Sequence, residues 1–199
     1  MILVGGYCSN EILRNLLEKN LENKNLTFLK PSKPYLAIME GAVYFGLNPN
    51  KIVQRKAKYT IGMNTREIFN KKRHLGVIPT TEDGIKYCRD CFSKFIEINQ
   101  DLKLNQEIRN YYETISPRYC VMKFYKTFKK DPIFVYEKGV EYIGECELDA
   151  GKDYPKDERE ITVTMKFGGT FINVTAKHIK SGKQIKAKFK FDEQNYIRI

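Results

Sequence analysis

The chain has no tryptophan, and no stretch of it approaches the roughly 20 apolar residues that a membrane-spanning helix requires. Its 13 tyrosines and 12 phenylalanines can fill a core without tryptophan, and a hydrophobic content of 42% belongs to a globular chain rather than a disordered one. No basic leader precedes a long apolar segment, so no signal peptide is expected. Glycine-rich phosphate loops, nucleophile elbows and paired-carboxylate motifs are all missing, and no catalytic residue is expected in this chain alone. Internal repeats and low-complexity segments are lacking too. The five cysteines (Cys8, Cys88, Cys91, Cys120, Cys146) are an odd, scattered set. That fits a reducing, cytoplasmic setting better than a disulfide framework.

What the chain does have is positive charge: 35 Lys and Arg against 24 Asp and Glu, a formal +11. Such a balance raises the question of nucleic acid. The placement of the lysines argues against it. From Ile185 to Phe191 apolar residues alternate with Lys186, Lys188 and Lys190. Alternate strand residues face opposite ways, so this pattern gives one buried face and one solvated, lysine-coated face that also discourages edge-to-edge aggregation. Nucleic acid and membrane are therefore disfavoured as partners.

Two periodicities divide the chain. Residues 1–50 read as an apolar strand at Met1–Val4, a Gly5-Gly6 turn and a helix capped by Ser9 or Asn10, with Ile12, Leu13, Leu16, Leu17 and Leu21 on one stripe. An Asn23–Asn25 turn, a short strand at Leu26–Leu29 and a second helix starting near Pro34 follow. That helix carries Leu36, Met39, Ala42 and Val43 toward a core and ends at Gly46 or Asn48 before Pro49. From residue 51 to 199 the period is twofold. Tyr59, Ile61 and Met63 alternate, as do Cys120, Met122 and Phe124. Ile161 to Phe167, a Gly168-Gly169 turn, Ile172 to Ala176, a Ser181-Gly182 turn and Ile185 to Phe191 form a meander. The stretch from Lys71 to Asp90 reads as a basic loop. The fold class expected is α+β, with a mainly antiparallel β-sandwich in the second part.

In this order the pieces resemble the C-terminal portion of the heat shock 70 kDa chaperone family, nearest its divergent 12A/12B-like branch. Leu3-Val4-Gly5-Gly6 resembles the adenosine motif of the actin-like ATPase fold, and Ala37 to Leu47 the connecting helix that follows it. Thr60-Ile61-Gly62-Met63 resembles the opening strand of the family's peptide-binding sandwich. Tyr142 to Leu148 and Ile161 to Phe191 resemble its closing strands, with Asn173 to Ala176 and Ser181 to Lys183 especially similar. Tyr87 to Phe92 is similar to the 12A/12B-like branch in particular.

The resemblance implies a C-terminal remnant of an actin-like nucleotide-binding domain (1–50) before a peptide-binding-like sandwich (51–199). It implies ATP or ADP as cofactor of a full-length relative, with unfolded or extended polypeptide segments as partners. A missing upstream ATPase half is a further implied partner. The chain departs from the family where phosphate-gripping hairpins are expected, and its linker Lys51 to Lys56 is basic rather than acidic. It also ends soon after the sandwich, so no helical lid is expected. Gly5, Gly6 and Tyr7 would line an adenine-ribose pocket in an intact parent, or else simply form a tight strand-to-helix turn. Met63, Tyr112, Cys120 and Met122 fall near the family's apolar cleft positions, or else are core; alternation alone does not separate the two. Cys88 and Cys91 form a lone C-x-x-C. A zinc site would need two more ligands, and His74 and His178 lie in other sequence contexts, so packing or turn cysteines and no metal are expected. A fixed adaptor module without a client cleft is the alternative to peptide binding.

Overall fold

The computed structural model describes residues 2–21, 26–29, 31–48, 51, 54–167, 171–190 and the backbone of 196–198. Met1, the Asn23–Asn25 turn, Pro49, Ile52, Val53, the Gly168-Gly169 turn and Phe191 lie outside the described residues. The chain divides into two units, Met1–Ile52 and Val53–Ile199.

In the first unit the expected opening strand is reduced to one parallel bridge, Ile2 to Leu29, which is also all that forms of the strand expected at 26–29. The Leu3 N–H donates to the Leu29 carbonyl (3.0 Å) and the Gly5 N–H to the Pro34 carbonyl (2.8 Å). A single 3-10 turn, Gly6–Ser9, leads to α1 (Glu11–Leu21). Asn10 is the cap: its Oδ1 accepts the N–H groups of Ile12 (2.9 Å) and Leu13 (3.2 Å). α2 (Ala37–Leu47) begins after the turn at Pro34 and stops at Asn48, whose N–H closes on the Tyr44 carbonyl. Leu36, Met39, Ala42 and Val43 of the second helix were expected to face a core. Neither helix buries a residue, and Ile12, Leu16, Met39 and Val43 are all more than half exposed. Among the described residues of this unit one bridge joins the two short segments, too little sheet to cover two helices.

The second unit is built from strands. Among the described residues these are β1 (Gln54–Lys56), β2 (Thr60–Ile68), β3 (Thr80–Glu82), β4 (Ile85–Ile96), β5 (Asp101–Lys103), β6 (Glu107–Glu113), β7 (Tyr119–Thr127), β8 (Val140–Asp149), β9 (Glu160–Lys166), β10 (Phe171–His178), β11 (Gln184–Lys190) and β12 (Tyr196–Arg198). They form two five-stranded antiparallel sheets, β3-β4-β2-β7-β8 and β12-β11-β10-β9-β6, with β1 and β5 paired as a separate ribbon. The inward positions of both sheets make one core. Ile61, Met122, Phe124 and Ile143 come from the first sheet and Ile161, Val163, Val174 and Phe189 from the second. The rings of Phe124 and Phe189 meet with centroids 5.1 Å apart. Each large side chain buried there contributes roughly 1.5–3 kcal/mol. On β11 the lysine alternation holds: Ala187 and Phe189 are buried while Lys186 and Lys188 are exposed.

The loop expected from Lys71 to Asp90 is in large part a hairpin. β3 pairs with β4 through a two-residue Asp83-Gly84 turn, both residues at positive φ (49° and 78°). Its polar residues hide the twofold period. Further along β4, Asp90 sits at φ 57° beside a register shift against β2, the mark of a bulge.

At Gly62 the strands leave no room for a side chain. A Cβ there would lie 2.1 Å from Phe92 Cε1 and 2.6 Å from the Ser93 carbonyl oxygen, a backbone atom that cannot swing aside. Gly62→Ala is expected to destabilise the sandwich by about 1–3 kcal/mol or more. Thermal or urea denaturation checks this, and an unchanged midpoint would show that β2 and β4 have slack at this point.

Candidate functional site

β2 and β7 pair over four residues, from Thr60–Thr127 to Met63–Phe124. Beyond that point β2 continues to Ile68 on β4, and β7 extends back to Tyr119 on β8, so the two strands part. Register shifts fall close to the fork, between Ile61 and Gly62 and between Phe124 and Tyr125. Each strand then turns an edge toward the gap.

The gap opens on a cavity of about 240 Å³ that collects Met63, Tyr112, Cys120 and Met122, with Ile161 of β9 beside them. All four residues singled out from the sequence therefore line one space. Met63 and Met122 are only 4% and 1% exposed and belong to the core, so they form its floor. Tyr112 and Cys120 are half-buried and form walls. The two readings of these residues, core and cleft, are not exclusive. Tyr112 is fixed across the sheets: its hydroxyl lies 2.8 Å from Ser93 Oγ of β4, and Asn110 Nδ2 donates to it at 3.2 Å. Burial raises the Tyr112 hydroxyl pKa and pushes the Cys120 thiol up to about 11, so both line the space as neutral groups at pH 7.

The mouth is polar. Arg66 pairs with Glu82 and lies over the Tyr87 ring, 4.5 Å from its centroid. The opposite rim is the segment 114–119, including Ile115, Ser116 and Tyr119. Arg118 fastens that rim with a fork of two bonds to Asp149, Nε to Oδ1 at 2.8 Å and Nη2 to Oδ2 at 3.0 Å. The Ala150 N–H also donates to the Arg118 carbonyl at 2.9 Å. The hydrogen-bonded Arg118 guanidinium, helped by the Gly151 N–H, holds the Asp149 carboxyl down at about 2.

Gly5 adopts φ 92° and turns the chain into the Gly6–Ser9 segment. Gly6 has open space where a Cβ would stand, and Tyr7 is 85% exposed.

A further grouping was not visible in the sequence. His74, from the loop after β2, lies against Cys88 and Cys91 of β4, with all three ligand-type atoms within 4.8 Å of one another and all three residues buried. The bulge at Asp90 accounts for this, because without it two positions three apart on a strand face opposite ways. Burial, with the adjoining Cys88 thiol and the Glu67 charge adding to it, pushes the Cys91 thiol up to about 12; a hydrogen bond from the Glu67 backbone acts the other way. The signal available from sequence was the C-x-x-C itself; His74 was set aside because it lies in another sequence context.

No protein-family model matches the chain. Curated relatives do. Heat shock 70 kDa protein 12B of Homo sapiens is 29% identical over 201 residues, covering 96% of this chain and 29% of that protein. Heat shock 70 kDa protein 12A of Mus musculus is 29% identical over 196 residues, and its Homo sapiens counterpart 28% over 197, with the same coverage. The chain is similar to the 12A/12B branch of the heat shock 70 kDa family. It spans under a third of the length of these relatives.

The rim pair Arg118–Asp149 has a clear pH signature. A folded-state pKa of about 2, below the ordinary 3.8, gives stability that is fully present above about pH 4 and is lost as pH falls through about 2. Asp149→Asn should lower the urea midpoint at pH 7, with the deficit against wild type shrinking between about pH 4 and pH 2. A deficit that stays constant across that range would mean the carboxylate charge contributes nothing to the rim.

Proposed function

We propose that the sandwich of this chain binds extended, apolar segments of other polypeptides in the slot between β2 and β7. The observation that carries the reading is the fork itself: two strand edges facing a gap whose floor is Met63, Met122 and Ile161. Strand edges offer backbone hydrogen bonds to an extended guest without regard to its sequence. Methionine side chains adapt to guests of different shape, and the half-buried Cys120 and Tyr112 give an apolar wall with few polar demands. Kinship with the heat shock 70 kDa family supports a chaperone role for such a slot.

In the same reading, Met1–Ile52 corresponds to part of an actin-like nucleotide-binding domain. Gly5, Gly6 and Tyr7 would then face the adenosine of ATP or ADP when the remainder of that domain is supplied by a full-length protein. The exposed apolar faces of α1 and α2 fit elements that expect neighbours. The cysteines are free thiols, which suits a reducing, cytoplasmic location.

Fluorescence anisotropy with several unrelated extended apolar peptides, with and without ATP, tests the proposal. Saturable binding indifferent to ATP is expected. N-methylating alternate amides of a bound peptide should weaken it by about 0.5–1.5 kcal/mol per lost hydrogen bond, about 2- to 10-fold each. Cys120→Asp, which puts a charge on a half-buried wall, should weaken it further. Met122→Asp is unsuitable because its side chain is in the core. Equal affinity for methylated and unmethylated peptides would remove the backbone slot. Binding of a single folded partner, untouched by Cys120→Asp, would favour the adaptor instead.

A further inference from the structure

Two of the chain's five cysteines and one of its two histidines converge at the bulge of β4, in a small cluster apart from the main core. Phe69, Val77, Ile133 and Phe134 wrap it in apolar side chains. We propose that His74, Cys88 and Cys91, completed by Glu67, form a structural site for a tetrahedral thiolate-binding divalent metal, zinc above all.

Small inward shifts of the side chains would bring the ligand atoms to the spacing that ion needs. Zinc bonds of about 2.3 Å to sulfur and about 2.0–2.1 Å to nitrogen or oxygen place tetrahedral ligand atoms about 3.4–3.8 Å apart. Cys91 Sγ lies 3.9 Å from His74 Nε2, and Glu67 Oε2 lies 3.6 Å from the same nitrogen. Two thiolates with an imidazole select zinc over the oxygen-seeking magnesium and calcium. Charge also balances: two thiolates and one carboxylate around a dication leave one negative charge, and Arg73 Nε sits 3.6 Å from Glu67 Oε2.

The site has a structural task. Residues 69–79 form no strand or long helix, and His74 sits in the middle of them. A metal held by β4 and by this loop would staple the loop to the sheet. One contact opposes loading. The Asn70 N–H donates to His74 Nδ1 at 3.1 Å, which puts the ring proton on Nε2. Metal on Nε2 moves that proton to Nδ1 and breaks the Asn70 bond. A single neutral hydrogen bond is worth far less than a structural zinc ion, so the exchange favours the metal. The 70–74 turn is then where the free and loaded forms differ.

The test uses the full chain, reduced with a phosphine that does not bind metals, and Co(II) as the probe. Saturation at one cobalt per chain is expected, with the strong visible bands of tetrahedral cobalt and a thiolate charge-transfer band. Zinc should bleach them by displacement. Cys91→Ser and His74→Ala should lose the tetrahedral spectrum, while Cys120→Ser keeps it. Glu67→Gln should weaken cobalt binding about 10–100-fold. Because core variants can misfold, one readout uses the wild-type chain: zinc should shift the Asn70 amide resonance. A folded chain that gives no tetrahedral cobalt spectrum overturns the proposal. So does a spectrum that survives loss of both Cys88 and Cys91.

Discussion

The sandwich depends on how briefly β2 and β7 stay together. Four paired residues tie the centre of the first sheet, and the Gly62 backbone is pressed there against Phe92 and Ser93. Had the ladder run on, Met63, Cys120 and Met122 would have closed into a continuous sheet with no slot above them. The fork leaves backbone edges unmatched between these two strands, a feature that costs stability unless water or a guest satisfies them. The second sheet holds the fork open from below. Its strand β9 brings Ile161 under the gap, and β6 at the sheet edge brings Tyr112, pinned to Ser93 across the layers.

Polar groups around the fork are arranged to hold shape rather than to react. Arg66 is occupied by Glu82 and the Tyr87 ring, and Arg118 by Asp149. Their charges are neutralised locally at the mouth, while the floor stays apolar. That division of labour suits reversible contact with apolar chain segments, in which rigid polar rims limit how far the walls collapse.

The first unit shows the converse situation. Its local signals are sound: Asn10 caps α1, and Asn48 ends α2 close to the expected stop. Yet the apolar stripes that the helical period creates are left in the open. Helix formation is a local matter of caps and propensity, whereas burial needs a second surface of matching size. The same contrast runs through the Lys71–Asp90 stretch. Asp83-Gly84 was a readable hairpin turn, but the polar residues of β3 and early β4 hid the twofold pattern that would have identified the strands.

Much of the sandwich was written in the sequence itself. The alternation of Ile161 to Phe167, Ile172 to Ala176 and Ile185 to Phe189 determined strands and their buried faces, because side chains on a strand point alternately whatever surrounds them. Met63, Tyr112, Cys120 and Met122 were nominated by the resemblance to the heat shock 70 kDa family, not by alternation. Three things were decided by tertiary structure alone: that β2 and β7 separate after Met63, that the two methionines serve both core and cleft, and that His74 meets Cys88 and Cys91. Each depends on where two distant segments stop pairing or begin to touch. Register, bulges and loop paths set those meetings, and the positions of residues along the chain do not reveal them.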